Sequence, residues 1–133
     1  MRPEESLPPD ILAKAVKSGS EFGWHLKDIP SVIAAAQKIH LATIGGQVQY
    51  IFSDATYEVY WVCIDTESRK PDEHFTTYVN RTASEFLHLF KQEVLDIDVL
   101  AEGARGYEYL HKKQQSGSLL DDFCYFIMYF ANE

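Results

Sequence analysis

The run QVQYIFSDATYEVYWVCI, residues 47–64, constrains the fold more than any other part of the chain. Val48, Tyr50 and Phe52 alternate with Gln47, Gln49 and Ile51, the period of two that marks a β-strand. Ser53-Asp54-Ala55-Thr56 is polar and able to turn, although it lacks the Asn-Gly or Asp-Gly of the tightest hairpins. Beyond it, alternation places Tyr57, Val59, Trp61 and Cys63 on one face and Glu58, Tyr60, Val62 and Ile64 on the other. Both faces of that second strand are largely apolar, so it is expected at the centre of a sheet or covered on both sides. Val59, Trp61 and Cys63, with Tyr50 and Phe52, are the expected core residues, and Tyr60 is the aromatic expected to face solvent.

Helical periods surround this hairpin. Asp10 to Ser18 reads as a short amphipathic helix broken by Gly19, after a polar, proline-bearing stretch over residues 1–9 that is expected to be a flexible tail. Phe22, Trp24 and Leu26 suggest a short extended segment. Asp28 offers a cap and Pro30 a first-turn residue for a helix running to about His40. Leu41 to Ile44 fits a brief strand ended by Gly45-Gly46. Phe75, Val79, Thr82, Phe86 and Leu89/Phe90 step along one face of a helix over about 73–94. A further helix is predicted over about 99–115, with Leu100, Ala104, Tyr107 and His111 on one stripe. In the last segment, Ser118 with Asp121 resembles a capping box while CYFIMYF has strand propensity; the helix is the preferred reading. The predicted fold class is therefore α+β: one globular domain over residues 10–133, its small antiparallel sheet centred on the hairpin at about 47–64 and packed by three to five helices.

Charge narrows the function classes. The net charge is −8, from 12 basic and 20 acidic residues in 133. Residues 1–46 carry five of each, so the whole excess lies in 47–133. Phosphate binding needs clustered Lys and Arg, which argues against a nucleic acid as partner. A basic protein partner is permitted, because such a surface would steer it electrostatically; the alternative is that the acidic excess serves solubility alone. No apolar run approaches the roughly 20 residues that span a bilayer. The start, MRPEESLPPD, lacks the basic end and apolar run of a signal peptide, so a cytoplasmic protein with no membrane partner is expected. Two cysteines, Cys63 and Cys124, sit among apolar neighbours and read as buried thiols in a reducing compartment.

Catalytic constellations are sparse. Glu85-Phe-Leu-His88 and Glu108-Tyr-Leu-His111 repeat the Glu-x-x-His spacing of di-iron helix bundles, but the two further long helices with glutamates are missing. The alternative of a metal enzyme on these four residues therefore ranks below local helix pairs. No Gly-x-Ser-x-Gly elbow or phosphate loop occurs, and neither cysteine has an activating neighbour. No cofactor, metal or catalytic residue is predicted. What clusters is acid: Glu58 on the second strand, Asp65, Glu67, Asp72 and Glu73 in the following loop, and Glu93, Asp96 and Asp98 at a helix junction. Carboxylates around strand aromatics suit an interface, with Tyr and Trp as anchors and charge giving speed and selectivity. Glu58, Tyr60, Asp65, Glu67, Asp72 and Glu73 are the predicted partner-binding residues.

The segments FGWHLKD (Phe22–Asp28), GGQVQYIF (Gly45–Phe52) and EVYWVCID (Glu58–Asp65), on a compact acidic chain, resemble bacterial immunity proteins of contact-dependent and polymorphic toxin systems. The resemblance extends over most of the chain from about Glu21. It implies a non-enzymatic, stoichiometric inhibitor of a cognate toxin domain, often a basic nuclease. It carries no residue-by-residue roles, because such proteins share no catalytic set. The alternative is a small regulatory or ligand-binding module without a toxin partner.

Overall fold

A computed structural model describes residues 2–117 and 120–133. The elements run α1 (Pro9–Leu12), β1 (Val16–Ser18), β2 (Glu21–His25), α2 (Ile29–Lys38), β3 (Ala42–Ile51), β4 (Thr56–Asp65), α3 (Phe75–Phe90), α4 (Val99–Gly106), α5 (Glu108–Gln115) and β5 (Cys124–Ala131). The strands form one antiparallel sheet in the order β1-β2-β5-β3-β4, and the α+β class expected from the sequence is the class observed.

The C-terminal segment is the largest correction to the sequence reading. CYFIMYF is a strand, not a helix, and it lies between β2 and β3. Phe126, Ile127 and Met128 are consecutive and all fully buried. A strand covered on both faces needs such an unbroken apolar run, so its strand propensity prevails. Ser118, the first residue of the expected capping box, lies outside the described residues, and Asp121–Phe123 forms a 3-10 turn instead. By contrast, β4, expected to be central or covered on both sides, is an edge strand with one face open.

The glycine pair does not end a strand. β3 runs through it from Ala42 to Ile51. A Cβ on Gly46 would collide with the Phe126 ring and the Ile127 carbonyl oxygen, so β3 and β5 approach here only because the side chain is absent.

One face of the sheet carries the main core. Phe86 and Phe90 from α3 meet Phe126 edge-on, with centroids 5.9 and 5.3 Å apart. α2 adds Ile29, Ile33 and Ala36, which helical spacing in the sequence puts on one face, together with Val32; Ile39, expected on the same face, is exposed. Burial of each large apolar side chain contributes about 1.5–3 kcal/mol before chain entropy is counted. The N-terminal segment joins this core, contrary to the expected tail and helix. Pro3–Ser6 forms a 3-10 turn, Leu7 and Ile11 are buried, and the Ile11 carbonyl accepts a 2.8 Å bond from the Trp24 indole N–H. The helix stops at Leu12, and Val16–Ser18 pairs with β2 around a turn at Gly19.

The other face is polar and curled. Ser18 Oγ on β1 donates to Gln49 Oε1 on β3 at 2.9 Å, although β2 and β5 lie between those strands. Neighbouring strands stand about 4.8 Å apart, so two short side chains span this gap only if the sheet curls towards that face. Gln49 is fully buried as a result, and its amide donates to Glu58 Oε1 at 3.4 Å.

Candidate functional site

The site begins with a break in the β3–β4 ladder. Val48 pairs with Val59 while Gln47 pairs with Cys63, so one step on β3 spans four on β4. Tyr60, Trp61 and Val62 therefore have no partner on β3, and the side-chain alternation slips by one within the bulge. Val59 points into the core, and so do Val62 and Ile64; Tyr60 and Trp61 both turn outward, 64% and 37% exposed. The expectation that Trp61 and Cys63 are core residues is thus overturned. Cys63 is exposed, and only Cys124 is a buried thiol. Val59 and Tyr50 are core as expected, and Phe52 is partly buried at its margin.

The helix expected over 99–115 is two helices, broken at Tyr107, which is extended at φ −134° and ψ 121°. α4 starts where the Asp98 carboxylate accepts from the Ala101 N–H at 3.0 Å, a side-chain cap on its first turn. It ends at Gly106, in a glycine-containing stretch of low helix propensity. The extended Tyr107 drops its ring against β4, and its hydroxyl donates to the Glu58 carbonyl oxygen at 2.8 Å. Gly106 lies under the Trp61 indole, where any Cβ would strike the ring.

A continuous line of aromatic contacts follows this seam. Tyr60 meets Trp61 edge-on at 5.1 Å, Trp61 stacks on Tyr107 at 6.1 Å, and Tyr107 meets Tyr57 at 5.2 Å. Tyr57 lies parallel to Tyr109 at 5.3 Å, and Phe52 joins Tyr109 to Phe123. Such pairs contribute about 0.5–1.5 kcal/mol each beyond area burial. Tyr109 and Phe123 are exposed too, so the seam is an open aromatic ridge.

The six predicted partner-binding residues divide. Tyr60 stands on the ridge, whereas the Glu58 side chain turns to Gln49 on the opposite face and gives the ridge only its carbonyl oxygen. Asp65 is exposed at the loop end of β4. Glu67 and Asp72 are exposed in the loop that follows, away from the bulge. Glu73 is engaged internally: Arg81 Nε and Nη2 donate to its carboxylate at 2.8 and 2.9 Å. Those bonds hold the Glu73 carboxyl down to about 2 and keep the Arg81 guanidinium firmly charged. Arg81 also donates to Glu85 and to the carbonyl oxygens of Glu67 and Ser68, so it anchors the whole loop to α3. Sequence reasoning passed over Trp61, Tyr107 and Glu102. The signal for Trp61 was Tyr60-Trp61 itself, two large aromatics that alternation must divide unless a bulge exposes both.

The paired Glu-x-x-His motifs do not converge. Glu85 pairs with Arg81 at 3.0 Å and Glu108 with Lys112 at 3.5 Å, while His88 and His111 are exposed. Among the described residues no three His, Cys, Asp or Glu side chains group as a metal site. A second cleft of about 400 Å³ is lined by His25, Leu26, Lys27, Asp121, Asp122 and Cys124. Burial pushes the Cys124 thiol up to about 12, which makes it a poor nucleophile at neutral pH. Among the described residues no helix is long and apolar enough to cross a membrane.

Comparison with protein-family models, with curated protein sequences and with solved structures finds no match to this chain.

Proposed function

We propose that this protein is a non-enzymatic, cytoplasmic binding protein that neutralises a basic, nuclease-type toxin domain by stoichiometric association, as an immunity protein does. The observation that carries this reading is the outward turn of Tyr60 and Trp61 at the β4 bulge, next to the carboxylates of Glu93, Asp98 and Glu102 around the start of α4. Exposed Trp and Tyr beside a charged rim are the composition of an interface centre. The acidic excess raises the encounter rate with a basic partner and disfavours nucleic acid. The aromatic contacts fix the ridge before binding, which lowers the ordering cost of association.

Growth rescue tests the proposal. A basic nuclease toxin domain, sought in the protein encoded next to this gene, is expressed alone and with the present chain, and the mixture is sized by light scattering. Rescue with a 1:1 complex is expected. Absence of both rescue and complex overturns the reading.

A further inference from the structure

Beside the Trp61 indole lies a cleft of about 420 Å³. Its walls are Trp61, Val62, Ile97 and Ala101, and three carboxylates, Glu93, Asp98 and Glu102, stand around it. Trp61 and Ile97 are exposed apolar groups, whereas Val62 is buried and forms a fixed floor. The three acids differ in their freedom. Asp98 caps α4, Glu102 is held by Arg105 at 3.0 Å, and Glu93 is exposed with no hydrogen bond or ion pair among the described residues. Arg105 is itself 76% exposed, so its hold on Glu102 is a loose surface pair. Among the described residues no lysine or arginine lines this cleft.

We infer that the cleft between β4 and α4 is a socket for an arginine side chain presented by the protein partner. The inference rests on the partner-binding reading above and specifies which group of the partner the site takes. An apolar groove with an aromatic wall, the unpaired carboxylate of Glu93 and the loosely held one of Glu102 complements one side chain best. The guanidinium is planar, stacks on an indole, is weakly hydrated, and forks towards carboxylates, whereas an ammonium is a compact and strongly hydrated point charge. The arginine stem lies on Val62, Ile97 and Ala101, and its head meets Glu93 and Glu102 with Trp61 along one face. Arg105 of this chain is the internal competitor that the incoming cation displaces from Glu102.

The two tryptophans supply reporter and control. Trp24 is fully buried with its indole N–H bonded to Ile11, whereas Trp61 borders the cleft. Titration of the full chain with Nα-acetyl-arginine-amide, followed by the two indole N–H resonances, is expected to shift Trp61 saturably and leave Trp24 in place. The lysine analogue binds at least threefold more weakly. The double variant Glu93→Gln/Glu102→Gln loses at least tenfold in affinity for the arginine probe, and Arg105→Ala gains affinity. A Trp61 resonance that does not move, or that moves equally in the double variant, overturns the socket. The probe contains no toxin, so the two ideas fail separately. If the double variant still rescues growth with unchanged affinity, the socket is wrong and the immunity reading stands. If the arginine probe binds as expected but no toxin is neutralised, the immunity reading falls and the socket remains.

Discussion

The Trp61 indole rests directly on the backbone of Gly106, in the space that a Cβ at position 106 would fill. This contact couples the β4 bulge to the end of α4 and holds the ring where it stacks on Tyr107. Gly106→Ala is therefore expected to push the indole outward without unfolding the protein. The ring is partly open to solvent and can give way, so the cost sits at the low end for overpacking, about 1 kcal/mol. Tryptophan emission should shift to longer wavelength as Trp61 gains water contact. An unchanged emission spectrum would show that the indole does not rest on Gly106.

Trp61 and Phe126 are both large aromatics on strands, yet their truncations are expected to differ sharply. Phe126 is fully buried between β2 and β3, and Phe126→Ala should cost about 3–5 kcal/mol. Trp61→Ala removes one stacked pair and one edge contact on the ridge, about 1–3 kcal/mol beyond the area its ring buries. A ring 37% exposed leaves no closed cavity behind, so the total stays below that of Phe126→Ala. Denaturant unfolding of the two variants measures both. A Trp61→Ala protein as unstable as Phe126→Ala would put the indole in the core and remove the exposed ridge.

The two thiols give a chemical check on the same slip in alternation. Cys63 is exposed on the edge strand, and Cys124 is buried with its thiol pushed up to about 12. The Cys63 thiol is also raised, by partial burial and then by Asp65, so its reaction at neutral pH is slow but possible. A maleimide at pH 8 should label one thiol in the native protein and the second only on unfolding. Two thiols reacting together in the native state would contradict the outward turn of Cys63.

These contrasts mark what the sequence disclosed. Period-two alternation located β3 and β4, and period-3.6 stripes located α2 and α3, because those elements each bury one face. Strand alternation failed at Tyr60-Trp61 because the bulge is set by pairing with Gln47 and Val48, and the two adjacent aromatics alone do not fix where the register breaks. β5 was misread for the opposite reason. A strand buried on both faces has no alternation, and Phe126-Ile127-Met128 looks the same as a buried helix turn. Among the predicted partner-binding residues, alternation exposed Tyr60 correctly but could not foresee that Glu58 turns to Gln49 or that Glu73 answers to Arg81, eight residues away on α3. The helix junction with Glu93 and Asp98 was visible as an acidic run; its meeting with Trp61 depends on the fold.

Glu73 and Arg81 set the last expectation, which concerns pH. The Glu73 carboxyl sits at about 2 in the folded protein, against an ordinary value of 4.5, chiefly because Arg81 donates hydrogen bonds to it. Between those two values the unfolded chain binds a proton at this position that the folded chain does not, so acidification drains stability. The contribution is full above about pH 4.5, declines through the window, and is gone below about pH 2. The difference between wild type and Glu73→Gln across this window reports the Glu73–Arg81 pair. Glu85 shares Arg81 and compensates in part for the loss, which reduces the gap without reversing its direction. Chemical unfolding of both proteins across pH 7 to 2 is therefore expected to give a steady wild-type advantage above pH 4.5 that closes towards pH 2. A gap that stays flat or widens on acidification would mean that Arg81 does not hold this carboxylate, and that the loop after β4 is anchored by something else.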